Sequence, residues 1–404
     1  MSSNIFSVGT VMHQSPLCHD DPFGVILKSL TFFGVFLDGY APGGSVNGKL
    51  TVAYRYATLT YMHCVVLAHL YGVCSGITGW TDIITMFIAG SAVFTMDFLS
   101  LRSRSIKELL STLRACTGDT SLAAHHRLSQ RARLGVTAIW VYLVAFIVNS
   151  ICSVSVSHPQ DTWNTYFLGV NASHFSVSTA RAAAIIVTSL RLYLVDGPWF
   201  FFMGLFVIIC WVLQASFEDL GSKVADDCDL TPEDVGGLKR RYHHLTTVVN
   251  DVNDNFSPSL FAWYVTVLVA LCSRFSAIVT RTSTETNLVF WWVTHLLGLL
   301  WTLAIMFGVS IAAAEVNESP TKILASVEAA GFRTADKRND LAKMCMSVQL
   351  WVLGMRHHCA RLTGWNFFTI SRPFILSLIG VIVTYTVIII QMNPELMMKL
   401  QKGI

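Results

Sequence analysis

TNLVFWWVTHLLGLLWTLAIMFGVSIAAA, running from Thr286 to Ala314, contains no Asp, Glu, Lys or Arg. A helix of about 20 mostly apolar residues crosses the hydrocarbon core of a bilayer, so this run is long enough to span one. The rest of the chain repeats the pattern. Further charge-free runs fall at Tyr56–Thr81, Ile83–Met96, Leu134–Gln160, Gly197–Phe217, Asn255–Ser273 and Pro373–Pro394. The second is short, but Phe98–Leu101 extends it past Asp97. Seven spans result. Phe23–Leu37 is also apolar, yet it is shorter and carries Lys28, and it reads as an interfacial or packed helix rather than an eighth span. It lacks the basic leader and small-residue cleavage site of a secretory signal.

Composition agrees. Charged residues make up 13% of the 404, against roughly 25% in an average soluble protein. So little charge cannot cover the surface of a water-soluble body this size, which excludes disorder and coiled coil and argues against a soluble enzyme. A net charge of +3 does not point to nucleic acid as a partner. The expected fold class is an all-α membrane protein with seven transmembrane helices.

Orientation follows from the basic residues, which concentrate in cytoplasmic loops. The connection after span two holds Arg102, Arg104, Lys107, Arg114, Arg127, Arg131 and Arg133, and the one before span seven holds Lys322, Arg333, Lys337, Arg338, Lys343, Arg356 and Arg361. Ser75–Trp80 and His158–Ala180 hold no Lys or Arg ahead of Arg181. Even-numbered loops are therefore expected inside, with the N-terminus cytoplasmic and the C-terminus outside. Asn171-Ala172-Ser173 is a glycosylation sequon on the expected outer face. Rhodopsin-like receptors have the opposite orientation, and no Asp-Arg-Tyr follows span three.

The long inner connections carry helical patterns. Leu238, Tyr242, Leu245, Val249 and Val252 form a 3.5-residue seam after Thr231-Pro232-Glu233-Asp234, a helix start with proline at the first position and acids in the first turn. Leu341, Met344, Cys345, Val348, Val352, Met355 and Cys359 recur at helical spacing in the sixth connection. Such helices would extend the bundle into the cytosol or lie on the membrane surface.

Chemical motifs are sparse. The ten cysteines include no C-x-x-C pair, and only Cys74, Cys152 and Cys272 sit near expected outer ends. Three adjacent histidine pairs occur, at His125-His126, His243-His244 and His357-His358. Neighbours on a helix point about 100° apart, poor geometry for a shared metal. No nucleotide-binding, hydrolase-elbow or zincin motif appears, so neither catalysis, a metal nor a cofactor is expected. Polar groups within spans are more telling, because lipid penalises them. Asp82, Asn149, Arg191, Arg274 and His295 fall at or near outer halves, as do Trp291 and Trp292. Together they are candidate walls of a small-molecule pocket, with Asp82, Asn149, Arg274, Trp291, Trp292 and His295 as the candidate ligand contacts. Tryptophans near a span end also serve as interface anchors, and an arginine there can snorkel.

The last span reads PFILSLIGVIVTYTVIIIQM, Pro373 to Met392. Ser377, Thr384 and Gln391 follow at seven-residue steps, giving one stripe of spaced polar groups between apolar turns. A helix of that kind suits a pore, with Gln391 near the outer mouth and rings of isoleucine or valine forming a dewetting gate. One helix cannot enclose a channel, so this reading needs several copies.

Here the chain resembles the insect, or more broadly arthropod, gustatory receptor family. The family closes its last helix with Thr-Tyr, five hydrophobic residues and Gln-Phe. This chain has Thr384-Tyr385, the five residues Thr386 to Ile390, then Gln391, with Met392 in place of Phe. The span-six end around Ala313, Glu315, Asn317 and Glu318, and Leu362-Thr-Gly-Trp-Asn-Phe-Phe368, look like the same family.

The resemblance implies a non-selective cation channel gated by a small-molecule tastant. It implies assembly as a homo- or hetero-tetramer in the plasma membrane of sensory neurons. Gln391 would sit at the constriction and Tyr385 would brace the helix, with Thr384, Ile388 and Met392 as neighbouring pore or gate positions. The implied organisation is a cytoplasmic N-terminal segment (1–52), helices one to six with the pocket region (53–314), a cytoplasmic helical anchor (315–368), the pore helix (369–394) and a short outer tail (395–404). Thr386 stands where sugar-tuned members usually carry Glu, which argues against a sugar. An odorant-type subunit needing a co-receptor, a seven-helix G-protein-coupled receptor and a transporter are the alternatives.

Overall fold

The computed structural model describes residues 21–35, 46–74, 80–118, 122–156, 176–226, 232–279, 288–335, 346, 349–354 and 360–392. Among them, six helices are long and apolar enough to cross a membrane, and Met86–Leu101 is a shorter apolar seventh. Each of the seven spans expected from the charge gaps is helical over its described residues. In chain order the helices are α1 (Gly24–Thr31), α2 (Val46–Cys74), α3 (Trp80–Leu101), α4 (Ser103–Gly118), α5 (Leu122–Val156), α6 (Val177–Arg191), α7 (Gly197–Asp226), α8 (Pro232–Val279), α9 (Leu288–Ala335) and α10 (Arg372–Met392).

α1 settles between the alternatives for the N-terminal apolar stretch: it is packed. Phe23, Ile26, Leu30 and Phe33 are fully buried against α5 and α7. Phe33 stacks on Trp140 at 5.8 Å and meets Phe201 at 5.3 Å, and Trp140 Nε1 donates to Ser29 Oγ at 3.0 Å. Two glycines of α7 make this fit: a Cβ at Gly197 would lie 2.6 Å from the Phe33 ring, and one at Gly204 would lie 2.7 Å from Ile139. Arg114 of α4 ties the start of α1 down through Asp21, at 3.0 Å.

The fourth span is longer than its charge gap. α6 starts at Ser176, whose Oγ caps Thr179 N at 3.2 Å, and runs through a π-helical segment, Leu192–Asp196, directly into α7. The continuous apolar stretch is Val177–Ala225. Arg181, Arg191 and Asp196 hide it from a charge count. Arg191 and Asp196 are tolerated because they turn toward a protein cavity rather than lipid.

α8 and α9 each continue well past the membrane length as single helices. α8 begins with Pro232, Glu233 and Asp234 as its first turn, in line with the sequence pattern. Tyr242, Leu245, Val249 and Val252 of the expected seam are all buried. In the sixth connection the described helical turn at 349–354 buries Trp351, which meets Tyr242 edge-on at 6.3 Å. Trp351 lies beside the apolar stripe read from the sequence. Of that stripe, Val352 packs at the core edge, while Leu341, Met344, Cys345, Val348, Met355 and Cys359 lie outside the described residues.

A two-stranded ribbon, β1 (Thr363–Gly364) and β2 (Phe368–Thr369), interrupts the all-helical pattern just before α10. Thr363 faces Thr369 and Gly364 faces Phe368. Trp365 and Asn366 both take left-handed backbone, φ 47° and 59°, and Phe367 N closes the turn onto Gly364 O at 2.9 Å. Asparagine tolerates that conformation in tight hairpins; tryptophan rarely adopts it.

Candidate functional site

Three features form the candidate site: a small cavity with charged and aromatic walls, a hydrogen-bonded knot around the β-ribbon, and the sparsely covered helix α10.

The cavity, about 90 Å3, opens among α3, α5, α7, α8 and α9, toward the Val279 end of α8 and the Leu288 end of α9. Its aromatic walls include Tyr142, Phe146, Trp199 and Phe200. Tyr142 lies flat on Trp301 at 4.1 Å and edge-on to Phe200 at 5.4 Å. Trp199 is fixed by its Nε1–H, which donates to Ser91 Oγ at 3.2 Å. Arg191, Asp196 and Arg274 supply the charged lining. The π segment brings the first two together. Residues five apart in an α-helix point about 140° apart, whereas the i→i+5 bonding here, with Gly197 N donating to Leu192 O, turns them toward a common face.

Arg274 was a sequence candidate and lines the cavity. Its Nη1 donates to Thr294 O at 3.3 Å, and its guanidinium occupies the space that a side chain at Gly298 would take. Asn149, another candidate, reaches the same residue from α5: its Nδ2 donates to Thr294 Oγ1 at 2.6 Å. The structure therefore joins Asn149 and Arg274 through Thr294, a residue that no sequence pattern marks. Trp292 and His295 are partly buried on the same first turns of α9 but are not among the cavity walls. The side chains of Asp82 and Trp291, and Asn171 altogether, lie outside the described residues. Arg191, one of the polar groups the sequence places near the outer ends of the spans, also lines the cavity, whereas Tyr142 and Asp196 are not among those groups. The signal for Asp196 is that it, like Arg191, is a charge in a helix continuous with an apolar span.

Cys74, Cys152 and Cys272 are free thiols, and no cluster of three or more potential metal ligands occurs among the described residues.

Below the cavity, α8 and α9 grip the ribbon that leads into α10. Asn317 of α9 donates through Nδ2 to Leu362 O at 3.1 Å and Ile370 O at 2.7 Å, and its Oδ1 accepts from Leu362 N at 2.7 Å. One amide side chain thus straddles both ends of the hairpin. Asn253 of α8 accepts from Thr363 N at 2.8 Å, and Trp365 N donates to Ser257 O at 3.1 Å. Glu318 accepts from Arg372 Nε at 2.9 Å at the first residue of α10. Aromatic packing completes the knot: Phe368 stacks on Phe374 at 4.3 Å, and Tyr264 meets both edge-on while its hydroxyl pairs with Ser310 Oγ at 2.8 Å.

From Arg372 to Gln391 an ideal helix rises about 28 Å, close to the ~30 Å hydrocarbon core. α10 is the barest of the candidate spans, with only 6% of its apolar window buried. Gln391, Thr384, Tyr385 and Ile388 are all exposed, and Ile382 is buried against the bundle. The side chain of Met392 lies outside the described residues. A lipid-length helix this bare in one chain has faces left for other chains.

A bundle of long apolar helices with a cavity among its spans and one peripheral, weakly covered helix defines a polytopic membrane protein. The model of the 7tm Chemosensory receptor family matches residues 30–395, and the chain belongs to that family. It is a chemosensory membrane protein and not an enzyme. It is 26% identical over 204 residues to Gustatory receptor family protein 3 of Caenorhabditis elegans, an alignment covering 47% of this chain and 44% of the relative; less than half of that relative's length is matched. Its fold is similar to the structure of the insect olfactory receptor OR5 from Machilis hrabei, solved in complex with eugenol. The TM-score is 0.70 at 14% identity, over 91% of this chain and 97% of that one. The same receptor's other structure superposes with a TM-score of 0.68 at 12% identity and the same coverage.

Proposed function

We propose that the chain is a subunit of a ligand-gated, non-selective cation channel of the gustatory type. A small-molecule tastant would open it from the cavity at Tyr142, Arg191, Asp196 and Arg274. Four subunits, identical or related, surround a pore lined by α10, with Gln391 at the outer constriction, Thr384 and Ile388 along the wall, Met392 beside the constriction and Tyr385 bracing the helix. The N-terminus is cytoplasmic, the cavity lies in the outer half, and the extended parts of α8 and α9 together with residues 315–368 form the cytoplasmic anchor. The channel resides in the plasma membrane of sensory neurons.

The observation that carries this reading is the continuous route from cavity to bare helix. α8 and α9 line the cavity at one end and hold the ribbon and the start of α10 further along, through Asn253, Asn317, Glu318 and Tyr264. A ligand that binds better when these helices are displaced biases α10 by its difference in affinity between the two states. The test is heterologous expression with recording from excised patches in the absence of GTP. Ligand-evoked cation current is expected, alone or with related subunits; its absence across a broad panel refutes the channel. Restoration of current only by an added co-receptor subunit would favour the odorant-type assembly instead.

A further inference from the structure

The charged lining of the cavity narrows what it can hold. Two guanidinium groups, Arg191 and Arg274, face it with one carboxylate, Asp196. Asp196 lies within electrostatic reach of both arginines, yet it forms no direct ion pair with either among the described residues. Arg274 spends one donor on Thr294 O, and Arg191 makes no hydrogen bond among the described residues. Arginine stays protonated at any physiological pH, so the site holds more fixed positive charge than negative. An uncompensated charge in a membrane-embedded cavity is costly and invites an anionic partner. The flanking Tyr142, Phe146, Trp199 and Phe200 give that partner an apolar wall. At about 90 Å3 the space is well below the ~300–1,000 Å3 of drug-sized pockets.

Resting on the reading of this cavity as the ligand site, we propose that it takes a small carboxylate. The acid group is held between Arg191 and Arg274, and a short apolar tail lies against Tyr142 and Phe200. Planar carboxylates match the forked donors of guanidinium, whereas an alcohol or an amide offers no charge and an ammonium meets the wrong sign. Binding of this kind draws Arg191, at the α6–α7 junction, toward Arg274 on α8, one of the two helices that grip the ribbon.

The test uses the full chain with butyrate as probe, and butanol, butylammonium and sodium chloride at matched ionic strength as comparisons. All are applied at fixed pH near 7.4 to outside-out patches, and to purified protein in a thermal-shift assay. Butyrate is expected to act at concentrations about tenfold or more below butanol, with butylammonium and chloride inert. Arg274→Gln and Arg191→Gln should each raise the butyrate requirement about tenfold or more while leaving butanol unchanged, in keeping with the loss of a charge-assisted pair. Asp196→Asn should lower it, an opposite sign that a folding defect would not produce, and Arg274→Lys should keep most of the response. Equal potency of butyrate and butanol overturns the proposal, as do equal shifts for both in the arginine variants or equal stabilisation by chloride. Current evoked only by neutral compounds overturns the carboxylate and leaves the channel standing. Butyrate stabilisation lost in Arg274→Gln, with no current from any compound, overturns the channel and leaves the carboxylate.

Discussion

Asn317→Asp is the most informative single change outside the cavity. The carboxylate keeps the acceptor that serves Leu362 N, at 2.7 Å, but has no hydrogens for Leu362 O and Ile370 O, at 3.1 and 2.7 Å. Two hydrogen bonds are lost, each contributing about 0.5–1.5 kcal/mol net, and a negative charge is set against two carbonyl oxygens in a partly buried place. A destabilisation of about 2–4 kcal/mol of the hairpin's attachment follows. Because the ribbon leads directly into α10, that loss falls on the link between the bundle and α10, the helix proposed to line the pore. Every 1.4 kcal/mol is tenfold in an equilibrium, so if half of this shift differs between states the closed-to-open ratio changes by about 5- to 30-fold. The assay pairs a melting curve of the detergent-purified chain with patch recordings of basal and ligand-evoked current. A lower melting temperature with altered basal current or ligand sensitivity is expected. A variant that melts with the wild type and gates with the wild type would refute the view that Asn317 fastens α10 to the sensor.

Other expected outcomes test separate parts of the molecule. Gly298→Ala should displace the Arg274 guanidinium and break its bond to Thr294 O, reducing ligand sensitivity by roughly tenfold. Gly308→Ala on the same helix, where a new Cβ meets nothing within 4 Å, should raise the melting temperature slightly through helix propensity of about 0.8–1.0 kcal/mol. Phe33→Ala removes a fully buried ring from the α1 site and should cost about 3–5 kcal/mol, read as lower surface expression and an earlier melt. Tyr264→Phe keeps the ring between Phe368 and Phe374 but strands Ser310 Oγ, costing about 1–3 kcal/mol in the same melt. Gln391→Ala should change single-channel conductance or basal leak, and an unchanged current would remove Gln391 from the pore.

The sequence by itself determined the spans, because lipid forbids scattered charge and the charge gaps therefore mark the helices. It also marked the Thr384-Tyr385 to Gln391 stripe, and it placed Arg274 and Asn149 among the polar groups worth explaining. Its limits have physical causes. A charge count treats Arg181, Arg191 and Asp196 as the end of a span, although a charge inside a helix is tolerated where it faces protein, and only tertiary packing tells which way it faces. Seven-residue spacing identified α10 as polar along one stripe, but its bareness is a property of the folded bundle. The attachment of the ribbon is the clearest case. Asn317, Asn253 and Ser257 are far in sequence from Leu362, Thr363 and Ile370, and no local pattern announces that one amide will bridge a hairpin. Hydrogen bonds between distant segments depend on where α8, α9 and the ribbon meet, which the fold alone decided.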